Sequence, residues 1–137
     1  NNLKTSRLFG SSKTVRGIAV GIAAGTLVGI ILSQTQFYLP ELSADKKIFL
    51  GLITAIGAMA GDLAGSFVKR RLKLKPGTSA MLLDQLPFLL FAFIFASLVT
   101  QLKLDYLDLT FLTVLTLVVH PAANIVAHKF KLKNVPW

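Results

Sequence analysis

The 137-residue chain has no cysteine and only six acidic residues, and both shortages narrow what it can do. Without cysteine it forms no disulfide, no thiolate nucleophile and no cysteine-held zinc or iron–sulfur centre. Charged residues make up 15% of the chain and hydrophobic residues 53%, whereas soluble domains carry about a quarter charged residues. A water-soluble enzyme and a disordered tail are therefore excluded, and the composition is that of a membrane protein.

Four apolar stretches are long enough to cross a bilayer, which takes about 20 residues of helix. They cover residues 17–36, 47–68, 82–102 and 109–128. Their connections are short, so consecutive spans run antiparallel. The predicted fold class is all-α: a polytopic membrane helical bundle with four spans, in which residues 1–137 form a single transmembrane domain.

The basic residues are unevenly distributed between the two ends of these spans. Twelve of the 15 lie beside the two chain ends and in the loop 69–85, and the other end holds Lys46, Lys47 and Lys103. Because cytoplasmic flanks collect Lys and Arg, both chain ends and the basic loop are predicted to be cytoplasmic, in a multi-pass protein of the cell membrane. Nucleic-acid binding is not expected, since the basic residues are juxtamembrane and lack an aromatic platform.

Glycines recur at every fourth position in the first two spans: Gly17, Gly21, Gly25 and Gly29 in the first, and Gly57, Gly61 and Gly65 in the second. Lipid tails compete for apolar side chains, so membrane helices associate where small residues allow the backbones to approach closely. Both ladders are therefore predicted to pack spans one and two together.

One face of the second span is predicted to be polar. It carries four residues spaced i, i+4, i+7 and i+11: Asp62, Ser66, Lys69 and Lys73. Asp62 lies about 10 Å inside the first arginine at 1.5 Å per residue. An unpaired carboxylate there costs roughly 2.5–3.5 kcal/mol, so Asp62 should face the protein and hold a cation. That cation is either Lys69 or Arg16 in an ion pair, or a metal ion.

Asp84 is the other acidic residue on the cytoplasmic side. Its place shortly before Pro87 is typical of a helix N-terminus, which is one explanation for it. The other is a second metal ligand, because Mg²⁺ takes one or two protein carboxylates and completes its shell with water and phosphates.

The basic cluster around these acids has the chemistry of a polyphosphate site, because Arg grips phosphate through two bonds and Lys as a point charge. The alternative is an orientation signal that also attracts anionic headgroups. The cluster consists of Lys13, Arg16, Lys69, Arg70, Arg71, Lys73 and Lys75. In span four, His120, Asn124 and His128 form a polar stripe beside Pro121, with Asn124 as the expected ligand contact; zinc is not expected there.

These motifs resemble the CTP-transferase family that makes CDP-activated membrane lipids, and specifically its archaeal branch, the CDP-archaeol synthases. The bacterial phosphatidate branch has Asp-Arg where this chain has Asp84-Gln85, which favours the archaeal lipid. The resemblance rests on Lys13-Thr14-x-Arg16-Gly17, Gly61-Asp62-x3-Ser66-x2-Lys69-Arg70-Arg71, Pro76-Gly77, Asp84-Gln85, Asn124 and the closing Lys133-Asn134-Val135-Pro136-Trp137.

The resemblance implies a cytidylyltransferase that uses CTP, Mg²⁺ and a polyprenyl glycerol ether phosphate lipid, namely digeranylgeranylglyceryl phosphate. By this resemblance the catalytic residues are Asp62, Asp84, Lys69 and Arg70, of which Asp62 and Asp84 bind the metal. The CTP-binding set adds Lys13, Thr14, Arg16, Ser66, Arg71 and Asn124 to Lys69 and Arg70. The family usually carries one more N-terminal span than this sequence.

Three alternatives remain open on the sequence alone. A phosphatidate cytidylyltransferase would act on an ester lipid. A small four-helix multidrug-type transporter would use an intramembrane carboxylate for proton-coupled exchange. A non-catalytic assembly subunit would use the glycine ladders as its interface. Oligomeric state is not determined by these patterns.

Overall fold

The computed structural model describes residues 13–37, 39–74, 80–100 and 105–131, with the side chains of Met81 and Leu82 left out. Four helices account for most of them: α1 (Val15–Ser33), α2 (Ala44–Arg71), α3 (Met81–Val99) and α4 (Tyr106–Lys129). The predicted all-helical fold class is confirmed. Each helix coincides with one of the four predicted spans to within about three residues at either end. Polar residues continue α2 and α4 past the apolar stretch, whereas α1 and α3 end before the predicted spans do.

Local sequence explains where two of the helices begin. The hydroxyl of Thr14 accepts a hydrogen bond from the Gly17 N–H at 3.0 Å and caps α1. At α4, Asp105 and Asp108 form a reciprocal capping box. Such caps satisfy backbone N–H groups that have no partner within the helix.

Among the described residues, three helices are long and apolar enough to cross a membrane: α1, α2 and α4. The described apolar part of α3, Leu83–Val99, is shorter, and positions 101 and 102 of the predicted third span lie outside the described residues. With 28 residues, α2 is about 42 Å long at 1.5 Å per residue. It therefore extends beyond the hydrocarbon layer, which is about 30 Å thick.

The first glycine ladder packs α1 against α2, as predicted. A Cβ atom added to Gly25 would lie 2.5 Å from the Cβ of Ala55, and one added to Gly29 would lie 3.0 Å from the Cα of Gly51. Neither position has room for a side chain. The two backbones therefore meet along a row of small residues on each helix.

The second ladder packs α2 against α3, so the prediction that it joins spans one and two was wrong. A Cβ atom on Gly57 would lie 2.7 Å from the carbonyl oxygen of Phe91, and Gly61 lies against the backbone of Pro87 in the same way. At about 100° per residue, this ladder is roughly 120° around α2 from the row that meets α1. A spacing of four identifies a close-packing face but not the helix that covers it.

Proline supports the contact between α2 and α3 near the end of α2 and the start of α3. Pro87 lies inside α3 and has no N–H, so the carbonyl of Leu83, four residues earlier, receives no hydrogen bond from it. That carbonyl lies against Gly65 of α2. The absence of a side chain at Gly65 is what allows this approach.

The fourth helix is peripheral. Within the described residues α1 packs on α2, α2 on α3 and α3 on α4, and other pairs of helices do not pack. None of the described residues of α4 is buried. Its ring contact with α3 is a stack of His120 on Phe88, with ring centroids 5.5 Å apart. The four helices thus form an open row with α2 and α3 in the middle.

Replacing Gly57 by alanine should destabilise the protein, because the new methyl group would overlap the α3 backbone. Overpacking of this kind costs about 1–3 kcal/mol, and the thermal unfolding midpoint in detergent should fall. Gly17→Ala is the control: its methyl group would meet only the Thr14 hydroxyl, at 3.2 Å. An equal fall in both variants would show that contact with the α3 backbone does not set the effect.

Candidate active site

Two ion pairs between lysine and aspartate lie at the end of the bundle where α1 and α3 begin and α2 ends. Lys13 donates to Asp62, and Lys69 donates to Asp84. The first pair connects the start of α1 to α2, and the second connects α2 to α3. Both acidic residues predicted for the site are therefore present at one end and are held by cations.

Asp62 faces a cation, as the cost of an unpaired carboxylate in the membrane predicted. Its partner is Lys13, not Lys69 or Arg16 as the ion-pair explanation had suggested. The reason is the face of α2 on which it lies: Asp62 continues the row of Ala55 and Met59, which meets α1. Its side chain remains 37% exposed, so other groups can still reach the carboxylate.

Asp84 has two partners. One carboxylate oxygen accepts from Lys69, and the other accepts from the Ala80 N–H at 3.0 Å, in the first turn of α3. The helix-start explanation holds for this residue, because its carboxylate accepts a backbone N–H at the start of α3. Its role as a metal ligand stays a prediction. Because Gly65 meets Leu83 and Gly61 meets Pro87, Asp84 lies about 3 Å beyond the level of Asp62 along α2 at 1.5 Å per residue.

The predicted polar face of α2 is correct as far as Lys69. Ser66 is buried at 6% exposure, one turn from Asp62 and three residues before Lys69. Lys73 is not part of this face, because α2 ends at Arg71 and Lys73 has a positive φ of 58°. The helical spacing that placed it there does not continue through the turn.

The remaining predicted basic residues have partners of different kinds. Arg70 donates to the carbonyl of Leu74, just past the end of α2. The Arg71 guanidinium lies 4.9 Å from the centre of the Phe67 ring. Arg16 is exposed in the first turn of α1, and the Thr14 hydroxyl caps that turn. These side chains flank the ion pairs without belonging to them.

The polar stripe of α4 approaches the same end of the bundle. His120 stacks on Phe88, four residues beyond Asp84 on α3. Because α4 runs antiparallel to α3, Asn124 lies one turn nearer to the level of Asp84 and is half-buried. Several other predicted residues lie outside the described part of the chain: Lys75, Pro76, Gly77 and the closing segment 133–137.

Gln85 belongs to a motif of the family resemblance but is not among the predicted site residues. It is buried at 3% exposure, and its side-chain oxygen has no hydrogen-bond partner within the described residues. A buried acceptor without a donor costs about 1–3 kcal/mol. The signal in the sequence was weak: a single amide beside Asp84 at the start of an apolar run.

The acidic residues suit a hard cation that is completed by water and phosphate. Groups of three or more His, Asp or Glu side chains able to hold a metal do not occur among the residues described. Mg²⁺ needs only one or two protein carboxylates. Asp62 and Asp84 are both partly exposed and lie at nearby levels along α2, so the donor set fits this ion.

The fold and the site together define a polytopic helical membrane protein whose charged site lies at one end of its spans. Comparison with known proteins gives the family. The sequence profile described as "CarS-like: CDP-archaeol synthase" matches residues 1–137. The chain belongs to this family.

Individual relatives agree with the profile. A CDP-archaeol synthase of Pyrococcus furiosus is 44% identical over 131 residues, which covers 96% of this chain and 76% of the relative. One from Pyrobaculum calidifontis is 42% identical over 137 residues, covering 100% of this chain and 78% of the relative. A solved structure described as "Structural insight into an intramembrane enzyme for archaeal membrane lipids biosynthesis" superposes with a TM-score of 0.75 at 35% identity, covering 87% of this chain and 71% of that one.

Replacing Gln85 by methionine should stabilise the protein, because it removes a buried acceptor while keeping a similar volume. The expected gain is about 1–3 kcal/mol, read as a rise in the thermal unfolding midpoint in detergent. Gln36→Met is the control, since Gln36 is exposed, and should leave the midpoint unchanged. A midpoint for Gln85→Met below that of the unsubstituted chain would mean that the Gln85 oxygen is satisfied in the folded protein.

Proposed function

We propose that the chain transfers CMP from CTP to the phosphate of digeranylgeranylglyceryl phosphate, giving CDP-archaeol and pyrophosphate. Membership of the CDP-archaeol synthase family makes it an enzyme of membrane-lipid synthesis. The observation that carries the proposed mechanism is the pair of lysine–aspartate contacts at one end of the bundle. They bring cations and carboxylates together where a nucleotide and a lipid phosphate would have to meet.

The reaction needs charge neutralisation more than it needs a base. A lipid phosphate oxygen attacks the α-phosphorus of CTP and forms a new P–O bond. The bond from that phosphorus to the bridging β-phosphate oxygen breaks, and pyrophosphate leaves with the electron pair. Because the nucleophile is already anionic, the protein must chiefly align two anions that repel each other and offset their charge.

Described cations are available for that task. Lys13 and Lys69 have flexible four-carbon stems and end in a point charge, whereas the guanidinium groups can grip two oxygens at once. We assign Lys69, Arg70 and Arg71 to the triphosphate. Lys13 and Arg16 are assigned to the triphosphate or to the lipid phosphate. Ser66 and Asn124 are assigned polar contacts with the nucleotide. Thr14 caps α1 and thereby orients the cations at the start of that helix.

The two aspartates are proposed as the residues that would hold Mg²⁺, which would supply positive charge to offset the charge of the phosphates. Each carboxylate has a lysine partner in the structure. Asp62 and Asp84 thus keep the ammonium groups of Lys13 and Lys69 at the site before substrate arrives. When the substrates bind, the ammonium groups of Lys13 and Lys69 turn from the carboxylates to the phosphate oxygens.

The orientation of the site is inferred from charge. The described basic residues at the site end of the bundle outnumber the two at the other end, Lys46 and Lys47, and a cytoplasmic face collects such residues. CTP would then reach the site from the cytoplasm. Leu86 and Leu90 are exposed within two turns of Asp84, which offers the isoprenoid chains an apolar surface beside the ion pairs.

The position of Asp62 argues against the proton-coupled transporter. That alternative places the acid near the middle of the membrane. Asp62 lies nine residues from the end of α2 and pairs with Lys13, which precedes α1. A non-catalytic assembly subunit would not account for paired lysines and aspartates on both sides of α2. The ester-lipid alternative is disfavoured by relatives that are named CDP-archaeol synthase.

Replacing Asp62 by asparagine should reduce labelled CTP incorporation into lipid by at least a hundredfold, because the neutral amide neither binds Mg²⁺ nor holds Lys13. The assay uses digeranylgeranylglyceryl phosphate and the protein in detergent, with circular dichroism to check folding. Asp45→Asn is the matched control, as Asp45 is exposed at the far end of the same helix. Activity retained by folded Asp62→Asn would exclude the metal assignment.

Mg²⁺ and CTP together should raise the thermal unfolding midpoint of the unsubstituted chain. A ligand at a hundred times its dissociation constant stabilises by about 2.7 kcal/mol. Lys69→Met should lose most of this shift, because it removes a cation assigned to the triphosphate, whereas Lys46→Met should keep it. A shift that Mg²⁺ alone produces in full, with no addition from CTP, would contradict a nucleotide site.

A further inference from the structure

A second polar feature lies at the opposite end of the bundle. It is a cleft of about 420 Å³ between the end of α1 and the start of α2. Lys47 lines it and is 15 residues from Asp62 on α2, a separation of about 22 Å at 1.5 Å per residue. The cleft is therefore distinct from the proposed active site. Its polar lining consists of Ser33, Gln34, Thr35, Gln36 and Lys47.

Lys47 is the unusual member of this lining. It is buried at 5% exposure, and its ammonium group donates to the carbonyl oxygen of Thr35 at 3.0 Å. Both ion pairs found within the described ranges involve other lysines, and the nearby acid Asp45 is exposed. A buried charge without a counter-charge is expensive, and charged residues in membrane spans usually mark a function.

Capping of α1 explains part of this arrangement. A lysine near a helix C-terminus stabilises carbonyl groups there that have no partner in the helix. That role uses one of the three N–H donors of the ammonium group. Capping of α1 accounts neither for the two other N–H donors of Lys47 nor for the open cleft beside them. Direct closure onto the end of α1 would have left no such space.

The other cleft residues are arranged to leave Lys47 as the main positive group. The hydroxyls of Ser33 and Thr35 donate to the carbonyls of Ile30 and Leu32. Their hydroxyl hydrogens are therefore already used and are not available to an anion in the cleft. The ammonium group of Lys47 is left as the positive group there.

We propose that this cleft binds the phosphate of a membrane-lipid headgroup, with Lys47 as its counter-charge. The level of the cleft along the membrane normal favours a lipid as the ligand. The apolar helix α1 ends at Ser33, so the cleft lies where the hydrocarbon layer gives way to headgroups. Beside it, Ile31 and Phe37 are exposed apolar side chains that an acyl or isoprenoid chain can cover. Such a lipid holds the outer ends of α1 and α2 together and is not a substrate of the proposed reaction.

Native mass spectrometry of the full chain in detergent tests this proposal with phosphatidylglycerol as the probe. Lys47→Met should weaken phosphatidylglycerol binding at least tenfold. Lys46→Met is the matched control, because Lys46 is the adjacent lysine and is exposed, and it should change binding less than twofold. Equal losses in the two variants would show general surface attraction and overturn the proposal.

Two further ligands separate the possible sources of the anion. Diacylglycerol, which lacks the phosphate, should not bind at this site. Inorganic phosphate at millimolar concentration should not displace phosphatidylglycerol, because it lacks the chains that contact Ile31 and Phe37. Displacement by inorganic phosphate would overturn the lipid assignment.

A second variant keeps the test decisive if Lys47→Met fails to fold. Gln36→Glu leaves the Lys47–Thr35 bond intact and places a carboxylate at the cleft, so it should weaken phosphatidylglycerol binding about fivefold. Gln36→Met is its neutral control and should bind within twofold of the unsubstituted chain. Unchanged binding by Gln36→Glu overturns the proposal. CTP incorporation is a separate measurement, so this result is independent of the proposed enzymatic function.

Discussion

Close approach of backbones along α2 is the constraint on which the rest of the structure depends. Lipid tails surround every helix, so burying apolar side chains gives little net drive for association, and packing must come from backbone contact. Gly51 and Ala55 admit α1 on one face of α2, and Gly57, Gly61 and Gly65 admit α3 on another. Bulkier residues on either face would move a neighbour away. The charged site exists because all three helices are this close.

The ion pairs follow from that packing. Lys13 reaches Asp62 because the start of α1 is held against α2, and Lys69 reaches Asp84 because α3 is held against the second glycine face. Each carboxylate would be costly in the membrane without its cation. Pairing lowers this cost and keeps both charges partly accessible. An enzyme that must bring two anions together benefits from cations that are already in place and can turn to new partners.

The two ends of α2 treat buried charge differently. At the site end, Lys13 and Lys69 are each paired with a carboxylate. At the other end, Lys47 is buried against a carbonyl and lines an open cleft. A charge removed from water needs a partner. At the site end that partner is a carboxylate of the same chain, and at the Lys47 end the rule indicates a partner from outside the chain. Charge in this chain therefore does more than orient it in the membrane.

Composition and periodicity alone determined the membrane class, the four helices, the uneven charge and the two acidic residues at the basic end of the spans. Those properties depend on residues close together in the chain, where length, hydrophobicity and a spacing of four are directly readable. The tertiary structure decided which helix covers each glycine face, that Asp62 pairs with Lys13, that Lys73 leaves the polar face, and that Gln85 and Lys47 are buried. These depend on which side of α2 each neighbour occupies and where the helix ends. A glycine ladder allows either neighbouring helix to approach equally closely. Only the packed arrangement of α1, α2 and α3 shows which helix covers it.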